Sequence, residues 1–161
     1  MNTRILATPV GKLRLVANEA GLKAIEFEHG VGKGSENHAE DKTLVAAATQ
    51  LQEYFKGERK TFDLPLAPEG TEFQMSVWCA LRDIPWGRVC SYADIALAID
   101  KPTATRAVGA ANGRNPLPIV IPCHRVIGSD GSLTGFAGGL HMKRQLLELE
   151  GSLQDGQYAL L

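Results

Sequence analysis

The chain has 161 residues, of which 44% are hydrophobic and 22% are charged, and its formal net charge at pH 7 is −1. This length suits one or two small domains with a proper core, and the composition is typical of a soluble globular protein. No apolar run approaches the roughly 18 residues of a membrane span, and the first residues lead into a strand pattern rather than a signal peptide. We therefore expect no membrane partner.

The chain contains three cysteines at wide spacings. An odd number spaced in this way is not a disulfide framework, so we expect a reducing, cytoplasmic setting. The sequence has neither a CxxC pair nor a group of histidines and cysteines with zinc spacing. We therefore expect no metal and no cofactor.

Residues 1–66 predict a small α/β domain. Alternating apolar and polar residues predict four strands, over residues 4–8, 12–17, 22–28 and 62–66, of which the first two form a hairpin. A polar segment over residues 29–41 predicts an exposed loop. Apolar residues at helical spacing predict a helix from a Thr43 cap to about residue 56. The two histidines of this half, His29 and His38, are expected to be solvated rather than ligands.

Prolines near residues 67–71 predict a linker, after which we expect a mostly helical domain over residues 72–151 and a tail over residues 152–161. Thr71 predicts the cap of a helix to about residue 83. Ser91 and Asp94 resemble a capping box that opens a helix to about residue 99, and Thr103 predicts the cap of another to about residue 112. Two short helices joined by a tight turn predict a helix-turn-helix, for which an ordinary helical hairpin is the alternative.

The net charge conceals a cationic stretch in this second half. Residues 101–129 contain no acidic residue and four cations, which are Lys101, Arg106, Arg114 and Arg125. A phosphate backbone responds to such a local patch, although a solvated face is the alternative. Arg106 also lies in the first turn of its helix, where the dipole disfavours a cation by about 0.3–1 kcal/mol. The small residues that follow Arg106 let the helix backbone approach a surface closely. The stretch therefore favours a nucleic-acid partner.

The strongest candidate for chemistry is the segment Pro122-Cys123-His124-Arg125. The apolar residues 119–121 predict a buried strand that Pro122 closes, because proline has a fixed φ and no N–H. A thiol next to a histidine and an arginine is a candidate low-pKa nucleophile, since only the thiolate attacks. The alternative is a buried structural cysteine. If Cys123 and His124 were both extended, their side chains would point to opposite faces. Cooperation between them therefore requires a sharp turn after Pro122 or a bridging water.

The last predicted helix, over residues 140–150, ends on Glu150 close to its apolar stripe. The helix dipole disfavours a carboxylate at this end, so we expect Glu150 to have a histidine partner. The glycine-rich segment over residues 134–139 predicts a loop whose backbone N–H groups can open to a ligand.

These motifs together resemble those of the O6-alkylguanine-DNA alkyltransferases. The resemblance rests on Ile-Pro-Cys-His-Arg-Val, on the preceding Arg-Ala-Val-Gly and Asn-Pro, and on the Gly-Gly-Leu that opens the last helix. It covers about residues 71–151, and the N-terminal half resembles the family's ribonuclease-H-like unit more loosely. The implied fold is an α/β ribonuclease-H-like domain of antiparallel strands and a helix, followed by a mostly α-helical domain with a winged helix-turn-helix.

The resemblance implies a DNA repair protein in which Cys123 accepts the alkyl group of O6-alkylguanine irreversibly and stoichiometrically. His124 would act as its base through a bridging water, and Glu150 would orient that histidine. Tyr92 would donate a proton toward the departing guanine, as a neutral phenol can, and Asn115 would pin the turn that carries the cysteine.

The resemblance also implies a monomer that binds double-stranded DNA in the minor groove and flips the alkylated base out. Arg106 would fill the gap that the base leaves. Backbone groups of Cys123, Val126 and Ala137 would bind the flipped base, with Lys143 nearby. The full set of expected substrate- and DNA-binding residues is Arg106, Thr103, Ala107, Gly109, Ala110, Arg114, Arg125, Val126, Phe136, Ala137 and Lys143.

Other functions fit the sequence less well. The family's alkyltransferase-like relatives bind alkylated guanine without repairing it, and they carry tryptophan where this chain has Cys123. A winged helix-turn-helix regulator would leave the Cys-His pair and Glu150 unexplained. A thiol hydrolase would need an oxyanion hole and turnover, whereas a thioether has no easy hydrolytic exit. Phe136 departs from the tyrosine common in the family. The zinc-binding cysteines of some relatives have no counterpart in this sequence, and we expect no cysteine-rich regulatory domain.

Overall fold

The computed structural model describes residues 1–27, 36–154 and 157–158. The chain divides into two compact units, Met1–Glu69 and Gly70–Leu161. Within the described residues, none of the helices is both long and apolar enough to cross a membrane.

The first unit is a three-stranded antiparallel sheet with one helix packed against it. The strands are β1 (Asn2–Thr8), β2 (Gly11–Asn18) and β3 (Gly21–Phe27), in the order β1-β2-β3. The helix α1 (Lys42–Phe55) buries its apolar stripe against all three strands. The predicted hairpin is confirmed. Its turn ends at Gly11, which has a φ of 107°, a value that residues with a side chain rarely adopt.

Three details of this unit differ from the sequence-based expectation. The cap of α1 is Asp41 rather than Thr43, because the Asp41 carboxylate accepts from the backbone N–H groups of Thr43 and Leu44 at 2.9 and 3.2 Å. The predicted strand over residues 62–66 is absent, and only Leu66 forms a bridge, to Leu22. His38 is exposed as expected, whereas His29 and most of the predicted loop lie outside the described residues.

The second unit is mostly helical. Its helices and short strands are, in chain order, α2 (Glu72–Leu81), β4 (Cys90–Ser91), α3 (Tyr92–Ala98), α4 (Thr105–Gly113), β5 (Val126–Ile127), α5 (Leu140–Leu149), β6 (Leu153–Gln154) and β7 (Gln157–Tyr158). The strands β4 and β5 pair in parallel, so Cys90 lies beside Val126. This pairing brings the start of α3 next to the chain that leaves the Cys-His-Arg segment.

The capping box predicted at Ser91 on α3 is confirmed, and the cap predicted at Thr71 on α2 is present as a full capping box with Gln74. The cap predicted at Thr103 is wrong. The N-cap of α4 is Ala104, which makes no side-chain cap hydrogen bond, and Thr103 lies outside the helix. Part of the segment predicted as a tail forms the hairpin of β6 and β7, and Leu153 is buried in it.

Two contacts hold the helices that carry the site. The indole Nε1 of Trp78 on α2 donates to the backbone oxygen of Ala111 on α4 at 2.8 Å. Leu147 on α5 belongs to a buried cluster with Val89, Ile127 and Leu153. These helices and the short parallel pair therefore form one framework around residues 123–126.

Candidate active site

The backbone turns sharply just before Cys123. Pro122 has φ −79° and ψ 65°, and the N–H of Cys123 donates to the oxygen of Ile121 at 2.8 Å, which together define an inverse γ-turn. The strand predicted over residues 119–121 is wrong, because Ile119 is buried in a turn with φ 75°. A positive φ is strained for a β-branched residue, so the surrounding contacts must hold it in place.

Two asparagines supply such contacts. The side-chain amide of Asn115 donates to the oxygen of Ile121 at 2.8 Å, and its carbonyl accepts from the N–H of Leu117 at 2.9 Å. Asn112, on the buried face of α4, donates to the oxygen of Cys123 at 3.3 Å. The turn is therefore tied at its start and at the cysteine itself. Sequence reasoning singled out Asn115 but missed Asn112.

His124 and Arg125 continue the chain as a 3₁₀ helix, and both meet Glu150 at the end of α5. The His124 Nε2 lies 2.7 Å from one Glu150 oxygen. The Arg125 guanidinium donates to both carboxylate oxygens, at 2.8 and 3.1 Å, and to the carbonyl of Ile84 at 2.6 Å. Glu150 thus has the histidine partner that its position predicted, together with an arginine that was not expected there.

The structure corrects the expectation that Arg125 contacts DNA. The residue is only 5% exposed, and its charge is compensated by Glu150 inside the unit. A guanidinium held by three hydrogen bonds in the interior cannot also reach a phosphate. The exposed part of the cationic stretch therefore consists of Lys101, Arg106 and Arg114.

The protonation states of this cluster follow from its burial and charges. Burial alone would raise the pKa of Glu150, but the hydrogen bonds and charges of His124 and Arg125 outweigh it and hold the pKa at about 2. Burial lowers the pKa of His124 below its usual 6.5 despite the attraction of Glu150. At neutral pH a neutral imidazole therefore donates its Nε2–H to an ionised carboxylate. Its Nδ1 is left as a buried acceptor with no hydrogen-bond partner among the described residues.

Cys123 is buried, and burial raises the pKa of its thiol, against the hydrogen bond of Asn115 and the charge of Lys143, which lower it. This corrects the expectation of a low-pKa nucleophile. The thiol holds its proton at neutral pH, so any attack by the sulfur requires a base to accept that proton. The Nδ1 of His124 is an acceptor of the kind that such a step needs.

Lys143, expected near the substrate, is fully buried on α5. Its ammonium donates to the carbonyl oxygens of Val126 and Thr134, at 2.6 and 2.7 Å. Burial lowers its pKa to about 8. Lys143 therefore holds β5 and the glycine-rich loop together.

Tyr92, at the start of α3, reaches the same loop. The Thr134 hydroxyl donates to the phenolic oxygen at 2.9 Å, and the phenol lies 3.3 Å from the Thr134 carbonyl. Burial raises the pKa of Tyr92, so the phenol is neutral and keeps a proton to give. Thr134 is a neighbour that sequence reasoning missed, since one threonine in a glycine-rich loop gives no signal.

The glycine-rich loop presents the two remaining expected base contacts. Phe136 is half-buried and Ala137 is exposed. A Cβ at Gly138 would lie 2.5 Å from the sulfur of Met142 and 2.9 Å from the Phe136 ring. A side chain at this position would therefore force the side chains of Met142 and Phe136 to shift.

The helix α4 divides its residues between two faces. Val108, Ala111 and Asn112 are buried. On the other face, the expected DNA contacts Arg106, Ala107 and Ala110 are exposed. Thr103 and Arg114, which lie just beyond the two ends of the helix, are exposed as well. Gly109 differs, since it is half-buried and a Cβ there would lie 3.9 Å from the Tyr92 ring. The exposed face thus combines two cations with short side chains.

Residues 1–27, 36–154 and 157–158 contain no group of three or more histidine, cysteine, aspartate or glutamate side chains that could hold an ion.

Comparison with known proteins covers both units. Residues 1–68 match the family model described as the ribonuclease-like domain of 6-O-methylguanine DNA methyltransferase, and residues 72–152 match its DNA binding domain. A methylated-DNA–protein-cysteine methyltransferase of Methanosarcina barkeri is 53% identical over 150 residues, which are 91% of this chain and 94% of that protein. The constitutive enzyme of Bacillus subtilis is 58% identical over 114 residues, 70% of this chain and 69% of its own length.

A solved structure agrees with these matches. The crystal structure of Mycobacterium tuberculosis OGT in complex with DNA superposes with a TM-score of 0.84 at 42% identity, and the match covers 94% of each chain. The two-unit fold, with an antiparallel sheet in the first unit and helices in the second, is thus that of these proteins. The chain belongs to the 6-O-methylguanine DNA methyltransferase family.

Proposed function

We propose that Cys123 is the residue of this enzyme that accepts the alkyl group and that the substrate is O6-alkylguanine in duplex DNA. The protein is a methylated-DNA–protein-cysteine methyltransferase, and it acts in DNA repair by alkyl transfer. One observation carries the assignment of Cys123. This buried thiol directly precedes a neutral histidine, His124. The Nε2–H of that histidine donates to ionised Glu150, and its Nδ1 is a buried acceptor.

The proposed reaction is a direct displacement. A water passes the thiol proton of Cys123 to Nδ1 of His124, and Glu150 stabilises the imidazolium that forms. The sulfur then bonds to the alkyl carbon while the bond from that carbon to O6 breaks and its electron pair stays with the guanine. Tyr92 gives a proton to the departing base, and Asn115 keeps the sulfur in position. The product thioether has no easy hydrolytic exit, so each molecule reacts once.

We propose that α3 and α4 form the helix-turn-helix of a winged domain that binds DNA in the minor groove. The exposed face of α4 supports this, because its short side chains allow the helix to approach the sugar-phosphate backbone closely. Arg106 fills the gap left by the flipped nucleotide, and Arg114 and Thr103 contact the backbone. Ala107 and Ala110 line the same face.

The flipped base is bound beside Cys123 in this proposal. The carbonyls of Cys123 and Val126 and the N–H of Ala137 take its polar edge, and Phe136 packs against it. Lys143 acts indirectly, through its hydrogen bond to the Val126 carbonyl.

For the remaining organisation, we propose a ribonuclease-H-like domain over residues 1–66 and an alkyl-acceptor domain over residues 72–151, joined at residues 67–71. The descriptions of the matched family models support this division. We further propose a monomer that works in the cytoplasm. The three cysteines are free in the structure, as a reducing compartment requires.

The deciding experiment is peptide mass spectrometry after incubation with duplex DNA that contains O6-methylguanine. One added methyl group on the Cys123 peptide, in an amount that matches the protein, is expected. Binding to this DNA without any methylated peptide would instead indicate an alkyltransferase-like binding protein. Repeated turnover on excess DNA would exclude a single-use acceptor.

A further inference from the structure

Thr134 links two groups that the proposed reaction treats separately, the half-buried Tyr92 and the buried Lys143. Its hydroxyl donates to the phenolic oxygen of Tyr92 at 2.9 Å, and its carbonyl accepts from the Lys143 ammonium at 2.7 Å. A thiolate at Cys123 would raise the pKa of both Tyr92 and Lys143, so these residues and Thr134 lie in one neighbourhood. The proposed reaction assigns no role to Thr134.

The phenolic group of Tyr92 accepts one hydrogen bond and can donate another, and the two have different partners. The Thr134 hydroxyl occupies a lone pair of the phenolic oxygen, so the single proton of Tyr92 must point elsewhere. Among the described residues, the phenolic O–H of Tyr92 donates to the Thr134 carbonyl, at a long distance of 3.3 Å. Lys143 already bonds that carbonyl at 2.7 Å. The phenolic proton is therefore held weakly and is free to turn toward a ligand.

We propose that Thr134 is a positioning residue that prepares Tyr92 to donate its proton, an inference that rests on the proposed function of Cys123 and Tyr92. When the phenolic O–H bond breaks and the proton moves to the departing guanine, negative charge grows on the Tyr92 oxygen. The Thr134 hydroxyl already points at that oxygen, and a hydrogen bond to a charged acceptor is stronger than one to a neutral acceptor. The stabilisation therefore increases toward the transition state, as catalysis requires.

The step balances within the protein. Cys123 loses one proton to His124 and Tyr92 loses one to the guanine. The imidazolium and the phenolate then neutralise each other by returning one proton to Tyr92 through water. Acidity supports the same assignment, because burial raises the pKa of Tyr92 and the hydrogen bond from Thr134 opposes that rise. Lys143 fixes the threonine backbone, which keeps the hydroxyl aimed.

A double-mutant cycle on the full-length protein tests this role. Thr134→Val removes the hydroxyl and keeps the shape, Thr134→Ser keeps the hydroxyl, and Thr49→Val makes the same change at an exposed position of α1 in the other unit. The readout is the single-turnover rate of methyl transfer from duplex DNA that contains O6-methylguanine. Thr134→Val should slow transfer about tenfold or more, the effect of one hydrogen bond to a charged group. Thr134→Ser should keep most of the parent rate, and Thr49→Val should keep all of it.

The same changes in the Tyr92→Phe background decide the mechanism. There Thr134→Val should cause no further slowing, because the oxygen that it supports is gone. Equal slowing in both backgrounds, or a Thr134→Ser variant as slow as Thr134→Val, would overturn the proposal. So would an unchanged rate after Tyr92→Phe alone. If Thr134→Val fails to fold, Thr134→Ala takes its place in the cycle.

Failure of the broader function would look different. In that case the parent protein itself would show no methyl group on the Cys123 peptide. Failure of the Thr134 role leaves that methylation intact and changes only the pattern of rates. Melting temperature and DNA affinity, measured for each variant, separate a loss of the hydrogen bond from a loss of structure.

Discussion

Glu150→Gln should destabilise the protein by an amount that depends on pH. Although burial raises the pKa of Glu150, its interactions with His124 and Arg125 hold it at about 2 instead of the usual 4.5. Each tenfold change in proton affinity corresponds to about 1.4 kcal/mol, so the ionised carboxylate favours folding by about 3 kcal/mol at neutral pH. Because the folded-state pKa is depressed, this contribution is complete above about pH 4.5 and is lost as pH falls toward 2.

Urea unfolding at several pH values measures this contribution. The free energy of unfolding of Glu150→Gln should lie about 3 kcal/mol below that of the parent at pH 7, and the difference should shrink below about pH 4.5. Glu148→Gln is a matched control, since Glu148 lies on the same helix and makes an exposed ion pair with Arg144 at 3.5 Å. Its loss should cost less than about 0.5 kcal/mol. The argument would be refuted if the two variants lost equal free energy of unfolding, or if the loss for Glu150→Gln did not change with pH.

Arg125→Met extends the test to the other side of the pair. This change removes the arginine partner of a buried carboxylate, and breaking a buried ion pair costs about 3–5 kcal/mol. The variant that combines Arg125→Met with Glu150→Gln removes both charges, so its loss should be smaller than the sum of the two single losses. A loss equal to that sum would mean that Arg125 and Glu150 are not coupled.

Three predictions concern the reaction itself. Cys123→Ser should abolish transfer but keep binding to methylated duplex DNA in a gel-shift assay, and methyl groups found on Cys79 or Cys90 would contradict this. Arg106→Ala should weaken reaction with alkylguanine in duplex DNA but not with the free base, which needs no flipping. Equal slowing on both substrates would show a structural role. Glu150→Gln should slow transfer and raise the pKa of Cys123 further, and coincident thiol-probe titrations of parent and variant would contradict that.

Much of the fold could be predicted because local rules agree with it. The cap at Thr71 and the capping box at Ser91 follow from short-range hydrogen bonds, and the first hairpin follows from alternation around Gly11. Glu150 could be singled out because a helix C-terminus disfavours a carboxylate, and the structure places a histidine beside it at 2.7 Å.

The errors arose where tertiary contacts overrule local preference. Three β-branched residues in a row favour a strand, but residues 119–121 form a turn that Asn115 ties from six residues away. Arg125 resembled its exposed cationic neighbours, and only the distant carbonyl of Ile84 and the carboxylate of Glu150 explain its burial. Thr134 has no sequence signal, because its role depends on side chains from α3 and α5.

The guanidinium of Arg125 joins three points that are far apart along the chain. Its partners, Ile84 and Glu150, lie 41 residues before it and 25 residues after it. Closing such loops costs entropy that only the finished contacts repay, so we expect these hydrogen bonds of Arg125 to form late in folding. During synthesis, a chain that stops short of residue 150 lacks the carboxylate that accepts from both His124 and Arg125. In the proposed reaction, His124 would therefore have its Glu150 partner only once α5 is complete, and an unfinished chain could not transfer an alkyl group through this arrangement.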